Sequence, residues 1–406
     1  MIEISKAISI IQRKTGSLGT ESVELGNAVG RVLAEDIIAD TDLPPFDRSQ
    51  MDGYAVVAAD TNNAPVTLKI AGESAAGRGW HHKMKRGQAV RIMTGAPVPA
   101  RADAVQKVEL TNENGTSVEI LETVKIGTAI VKKGAEIKKG EIVLTKGEIV
   151  TENMIAAMAS FGYAKVKVTK RPSVAILATG REIVDISKKP GRDQIRNSNS
   201  SMLKALAESC GAVVEIHPIV GDSLKDLKTQ ISKAVGHHKS ASRKPQAAIL
   251  IITGGVSVGK YDLTKLALTE LGAEIFFEKV RLKPGKPTVF ARLNKTLVFG
   301  LPGNPVSAAV TFYLFVRMAV LQLQGATNTQ LRTGFAILGN DAKAAKDRDT
   351  YIPATLDADK QGQLIAMPLR SLGSSDFVGF ACAEALIFVP SDEMIAKGEA
   401  AKILFL

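Results

Sequence analysis

Cysteine is nearly missing from this chain. Cys210 and Cys382 are the only two in 406 residues, far apart and in apolar settings, so neither a disulfide framework nor a thiolate metal site is expected. A reducing cytoplasm fits that usage. Aromatic residues make up 5%, with Trp80 the single tryptophan. Basic residues occur in short pairs such as Lys132-Lys133 and Lys188-Lys189 rather than in a long run interleaved with aromatics, so no nucleic-acid partner is expected. A secretory leader is not expected either, because the opening MIEISKAISIIQRKTGSL mixes charge into a helical apolar pattern. An uncharged stretch from Thr296 to Val316 approaches membrane length at about twenty residues. Pro302, Gly303, Asn304 and Pro305 interrupt it, and it reads as a strand, a turn and a buried helix with no membrane partner.

What is present describes an ordinary multidomain globular protein. An apolar share of 45% and a charged share of 23% are those of a packed, folded chain, and 406 residues exceed what one core usually organises. The formal charge of +11 favours anionic partners.

Apolar spacing over Ile2–Ala34 predicts two amphipathic helices, and Thr151–Ser160 a further one with Met154, Ile155, Ala157 and Met158 inward. Between them, YAVV, VTLKI, AVRIM, DAVQKVEL, SVEIL and AIV alternate with Gly and Asn turns, as in a small β domain inserted after the first helices. From Lys170 the texture becomes strand, helix, strand: SVAILAT, SSMLKALAESC, VVEIHPIV, LKDLKTQISKAV, AAILIIT, TKLALTEL. That alternation specifies an α/β unit with a mostly parallel sheet. Short strands resume after a linker at Gln324–Thr329. The expected division is residues 1–42 with 137–169 (helical, linking), 43–136 (β insert), 170–325 (α/β) and 326–406 (small β domain).

Ligands of such sheets bind in loops after the strands, and five segments of this domain carry chemistry. In IITGGVSVGKYD, Gly254, Gly259 and Lys260 mimic a P-loop, but Tyr261 stands where magnesium binding needs a small hydroxyl. The useful groups are instead the amides of Gly254, Gly255 and Gly259, the Ser257 hydroxyl and the Asp262 carboxylate. Asp262 reads equally as a magnesium ligand or as a helix cap. In KVRLKPGKP, Lys279, Arg281 and Lys283 alternate on one face of a strand, which either binds an anion or is a solvated edge. LPGNPVS, with Pro302, Gly303 and Pro305, opens a helix whose first amides suit an oxyanion. Glu182 follows SVAILAT and Asp222 follows HPIV. Asp222 and Asp262, read as lying on neighbouring parallel strands, are candidates to share one magnesium ion.

Together DLPPFDRSQMDGYAV, VRIMTGAPVP, ATGREI, IITGGVSVGKYD, KVRLKPGKP and GLPGNPVSA, in this order over nearly the whole chain, resemble the MoeA-type molybdopterin molybdenumtransferases, a family that includes the gephyrin E domain and plant homologues. The resemblance implies a MogA-like α/β domain shared with the molybdopterin adenylyltransferases, which act upstream. It also implies insertion of molybdate into adenylylated molybdopterin, AMP release assisted by Mg2+, and a homodimer whose cleft joins the α/β domain of one chain to the β insert of the other. Tungstate as the oxyanion, or a non-enzymatic scaffold role as in gephyrin, are the alternatives. By the same resemblance the functional residues are Asp52, Thr94, Glu182, Asp222, Asp262, Lys279 and Lys283, with Pro302 and Pro305 on the molybdate-side loop and Ser374 matching a substrate-binding family serine.

The sequence departs from the family pattern at three places. Glu136 stands where many relatives carry Asp. Arg348 is retained from an Arg-x-x-aromatic-x-Arg run that ends here in Pro353. Lys260 stands where an acid is common.

Overall fold

The computed structural model describes residues 1–236, 247–255, 263–369, 373 and 375–406. They form two compact units, Met1–Glu35 with Gly147–Thr151 and Lys165–Leu406, and Asp36–Lys146 with Glu152–Ala164.

The larger unit begins with helix α1 (Ile4–Lys14), whose Ile4, Ala7 and Ile11 are buried at helical spacing. The second helix expected before Ala34 does not form. Thr20–Glu24 is a strand, antiparallel to Lys165–Thr169 with Val23 opposite Val166. Gly16, Gly19, Gly26 and Gly30 punctuate this segment, each costly inside a helix, and pairing with a partner far along the chain overrides the apolar period.

The smaller unit is built on a six-stranded sheet of β1 (Gly53–Val56), β2 (Val66–Ser74), β3 (Gln88–Ile92), β4 (Ala104–Lys107), β5 (Thr111–Asn114) and β6 (Ser117–Ile120), in the order β4-β1-β3-β2-β6-β5. Both faces are covered: Tyr54 and Val56 enter one cluster and Ala55 the other, as a period of two requires. Helix α2 (Glu152–Ser160) buries Met158 alone; Met154, Ile155 and Ala157 are half-buried.

Further along the larger unit, a second six-stranded sheet holds β7 (Ser173–Ala178), β8 (Val213–Ile216), β9 (Ile249–Thr253), β10 (Glu274–Phe277), β12 (Val289–Leu293) and β13 (Thr296–Leu301), ordered β8-β7-β9-β13-β12-β10. The first four are parallel and the last two form an antiparallel edge. Val174 and Ile176 pack on one face, Ala175 and Leu177 on the other, which is why these strands read as unbroken apolar runs. Helices α3 (Ser198–Ser209), α4 (Leu224–Ala234) and α5 (Leu263–Glu270) connect them. VVEIHPIV is strand only to Ile216. Helix α6 (Pro305–Leu323) is the described helix long and apolar enough to cross a membrane, and its apolar window is 83% buried within the protein.

A short strand β11 (Leu282–Lys283) leaves this sheet and pairs with the last domain. There β14 (Thr333–Leu338), β15 (Asp349–Ala358), β16 (Leu364–Pro368), β17 (Ala385–Val389) and β18 (Ala400–Phe405) close a ring, β15-β16-β14-β18-β17 and back to β15. The fold is thus multidomain, with an α/β sheet and a closed five-stranded β-barrel.

Candidate functional site

Register aligns the carboxyl ends of three central strands, with Ala178 opposite Thr253 and Thr253 opposite Leu301. The residues just beyond, Thr179, Gly254 and Pro302, therefore lie side by side. Thr179 N donates to Thr253 O at 2.9 Å and Gly254 N to Leu301 O at 3.2 Å. Gly254 and Gly255 both take left-handed backbone, φ +88° and +65°, which L side chains rarely adopt. A Cβ on Gly254 would stand 2.3 Å from the Thr179 carbonyl oxygen, and one on Gly255 2.8 Å from Thr179 Oγ1 and 2.9 Å from Thr264 Oγ1. These glycines permit the strand ends to approach this closely.

Asn199, on the first turn of α3, ties the two loops together. Its Nδ2 donates to Thr253 Oγ1 at 2.9 Å and to the Gly303 carbonyl at 2.7 Å, and Thr253 Oγ1 in turn donates to Pro302 O at 3.2 Å. Asn199 Oδ1, Thr179 Oγ1 and Thr264 Oγ1 are buried with no hydrogen-bond partner among the described residues. Buried polar atoms are normally satisfied, so three such atoms beside one glycine turn mark polar capacity held in reserve. Sequence reasoning missed Asn199; its signal was an Asn run, NSNSS, at a helix start.

Two cavities open from these strand ends. One, of about 650 Å³, is lined by Gly180, Arg181, Asp185, Lys188, Asn197 and Gly221 among others. Glu182 lies over Gly180, where a Cβ would meet both its carboxylate oxygens at 2.7 Å. Asp222, 46% exposed, is paired with Arg181 at 3.3 Å. Asp222 and the segment bearing Asp262 are not on neighbouring strands: β7 lies between β8 and β9. Chain order concealed this, because the crossover after β8 passes back over β7.

The other cavity, of about 610 Å³, is lined by Lys283, Lys286, Pro302, Ser307, Arg348 and Tyr351 among others. Lys283 is brought beside the barrel by parallel pairing, Lys283 opposite Thr350. The expected one-sided strand of Lys279, Arg281 and Lys283 is only partly formed. Arg281 is consumed by Glu3 at 3.0 Å and by the Asp347 carbonyl at 3.3 Å, and Lys279 is half-buried outside the cavity lining. Pro305 is the first residue of α6, after Asn304.

In the smaller unit, Gly53 opposite Ile92 sets Asp52 across from the turn after β3. Asp52 Oδ1 accepts from Thr94 N at 2.7 Å and from Thr94 Oγ1 at 2.9 Å. The backbone amide and then the hydroxyl of Thr94 hold the Asp52 carboxyl below its ordinary range. A depressed carboxyl contributes stability above the unfolded pKa and loses it as pH falls through the folded value, so Asp52 is ionised at neutral pH. Thr94→Val removes only the hydroxyl, and the Asp52 carboxyl, followed by NMR titration, is expected to move upward yet stay below the usual range. An unchanged titration would show that the hydroxyl does not hold the charge. Glu136 is paired with Arg48 at 3.3 Å in the same unit. Ser257, Gly259, Asp262 and Ser374 lie outside the described residues.

Comparison with known proteins agrees along the chain. Residues 2–162 match the MoeA N-terminal region (domain I and II), 175–322 a probable molybdopterin binding domain, and 336–406 the MoeA C-terminal region (domain IV). The molybdopterin molybdenumtransferase of Bacillus subtilis is 38% identical over 379 residues, covering 91% of this chain and 86% of that protein. That of Staphylococcus epidermidis is 34% identical over 393 residues, 96% and 91% of the two chains. A crystal structure of the molybdopterin biosynthesis moeA protein from Pyrococcus horikoshii OT3, 30% identical, superposes over all of both chains with a TM-score of 0.85. With relatives of this identity along nearly its whole length, the chain belongs to the molybdopterin molybdenumtransferase family, enzymes of molybdenum cofactor biosynthesis.

Proposed function

We propose that the protein inserts molybdate into adenylylated molybdopterin and releases AMP. The observation that carries this reading is the continuity of two unlike half-sites. A glycine turn beside the buried Thr179 and Thr264 hydroxyls, which have no hydrogen-bond partner among the described residues, suits a nucleotide-bearing ligand. The cationic cavity against Pro302 suits a tetrahedral dianion, and Asn199 binds both loops into one piece. Cleaving a phosphoanhydride is mainly a matter of positioning and charge stabilisation, which fixed loops and cations supply.

Magnesium is part of this reading. It typically takes one or two carboxylates and completes its shell with water and phosphate oxygens. Asp222, on an exposed rim, and Glu182, whose carboxylate has no hydrogen-bond partner among the described residues, offer that chemistry, and Asp262 is the further candidate. The bound ion would neutralise charge on the anhydride. Arg181, now on Asp222, would be free to meet a phosphate.

Asp52 and Thr94 belong to this proposal as the contribution of a second copy in a homodimer, with a molybdopterin adenylyltransferase supplying the substrate in the cytoplasm. The test supplies purified protein with adenylylated molybdopterin, Mg2+ and molybdate, and measures AMP release and cofactor formation. Both are expected from wild type, and Asp222→Asn is expected to lower the rate about tenfold, the low end of what one hydrogen bond to a charged group contributes. Absence of both products from wild type would sink the proposal; wild-type rates in Asp222→Asn would remove Asp222 from it.

A further inference from the structure

We infer that Lys343 is an oxyanion ligand, supplying from the barrel the cation that Arg348 alone does not. This rests on the proposed function and extends it to a residue that the motifs did not mark. Among the described residues, four cations, Lys283, Lys286, Lys343 and Arg348, line the 610 Å³ cavity against a single carboxylate, Asp341. None of the four has an ion-pair partner among the described residues, whereas Lys132, Lys133, Lys165, Lys204, Lys228 and Lys265 each hold a carboxylate. Asp341 is itself engaged, its Oδ1 accepting from Lys397 N at 2.8 Å. Cations gathered around one cavity repel one another unless an anion neutralises them.

The backbone pins Lys343 in place. Ala342 and Lys343 pair antiparallel with Ile395 and Met394, Ala342 is 1% exposed, and the alternation of a strand turns the next side chain to the opposite face. Arg348, just before β15, is followed across the cavity by Tyr351 and Pro353 on that strand. Pro353 brings no charge. The Tyr351 phenol, 8% exposed, has no hydrogen-bond partner among the described residues, and burial pushes its pKa up, so it keeps a proton to donate. Lys283 and Lys286 on one side, and Lys343, Arg348 and Tyr351 on the other, give a dianion donors from both domains.

The test is calorimetric titration of molybdate alone into the full-length protein for wild type, Lys343→Ala, Lys343→Arg and Lys283→Ala, with AMP titrated in parallel. Lys343→Ala is expected to weaken molybdate about tenfold, the loss of one charge-assisted hydrogen bond, and to leave AMP affinity unchanged; Lys343→Arg is expected to restore most of the loss. If Lys343→Ala binds molybdate as wild type does while Lys283→Ala is weakened, the role of Lys343 is refuted and the proposed function stands. Equal weakening of AMP and molybdate would also refute it, by making Lys343 a general field charge. Failure of wild type to bind molybdate at all would remove the proposed function and this inference together.

Discussion

Gly254→Ala is expected to lower turnover about a hundredfold, because a misplacement of roughly 1 Å at a reacting centre has that cost. The added Cβ would stand 2.3 Å from the Thr179 carbonyl oxygen and 3.3 Å from its carbon. Neither is the end of a flexible side chain. Thr179 is held by its own N–H to Thr253 O at 2.9 Å, so the glycine turn must move outward instead. The left-handed φ of +88° adds a backbone penalty of about 1–3 kcal/mol. The control is Gly303→Ala, where the new Cβ meets Gly254 Cα at an ordinary 3.6 Å; it should stay within a few-fold of wild type on the scale of an unstrained substitution. Steady-state AMP release together with thermal unfolding separates lost activity from lost fold. Wild-type turnover in Gly254→Ala would show that the turn does not position substrate.

Asn199→Asp is expected to destabilise the protein by about 3 kcal/mol at neutral pH, the scale of an uncompensated buried charge. The shape is conserved, but the amide that donates to Thr253 Oγ1 and to the Gly303 carbonyl becomes an acceptor facing acceptors. Burial raises the folded pKa of such a carboxyl above its unfolded value. Its penalty therefore grows as pH rises from the unfolded value through the folded one, and fades in acid, where the protonated form regains a donor. Urea unfolding at several pH values reads this directly. Asn199→Ala, without the charge, should cost about 1–3 kcal/mol with no such pH dependence. A pH-independent loss in Asn199→Asp would show that the buried amide is not what joins the two loops.

What the residues disclosed in advance follows from what each depends on. The strands of the α/β domain were legible because burial on both faces writes continuous apolar runs such as AILIIT. Gly254 and Gly255 were legible because special backbone is a local property. The segment after α1 was misread because its strand depends on Lys165–Thr169, about 140 residues on, and no local window contains that partner. The adjacency of Asp222 and Asp262 was misread because strand order is fixed by crossover direction rather than by succession. Asn199 and Lys343 escaped for a third reason. An Asn at a helix start and a Lys in a polar turn are ordinary in isolation, and only convergence in space gives either a role.

Closure of the barrel has a consequence for synthesis. Residues 400–405 form β18, which sits between β14 and β17 rather than on a margin. While a ribosome is still translating those codons, β14 and β17 each present an open edge, the kind of surface that recruits foreign strands. The α/β sheet carries no such debt, since its strands precede residue 302. The strand ends that bear the glycine turn can therefore be in place while the nascent chain still lacks the wall that bears Arg348 and Lys343 in final position. The cation-rich cavity takes its final shape only after β18 has been made.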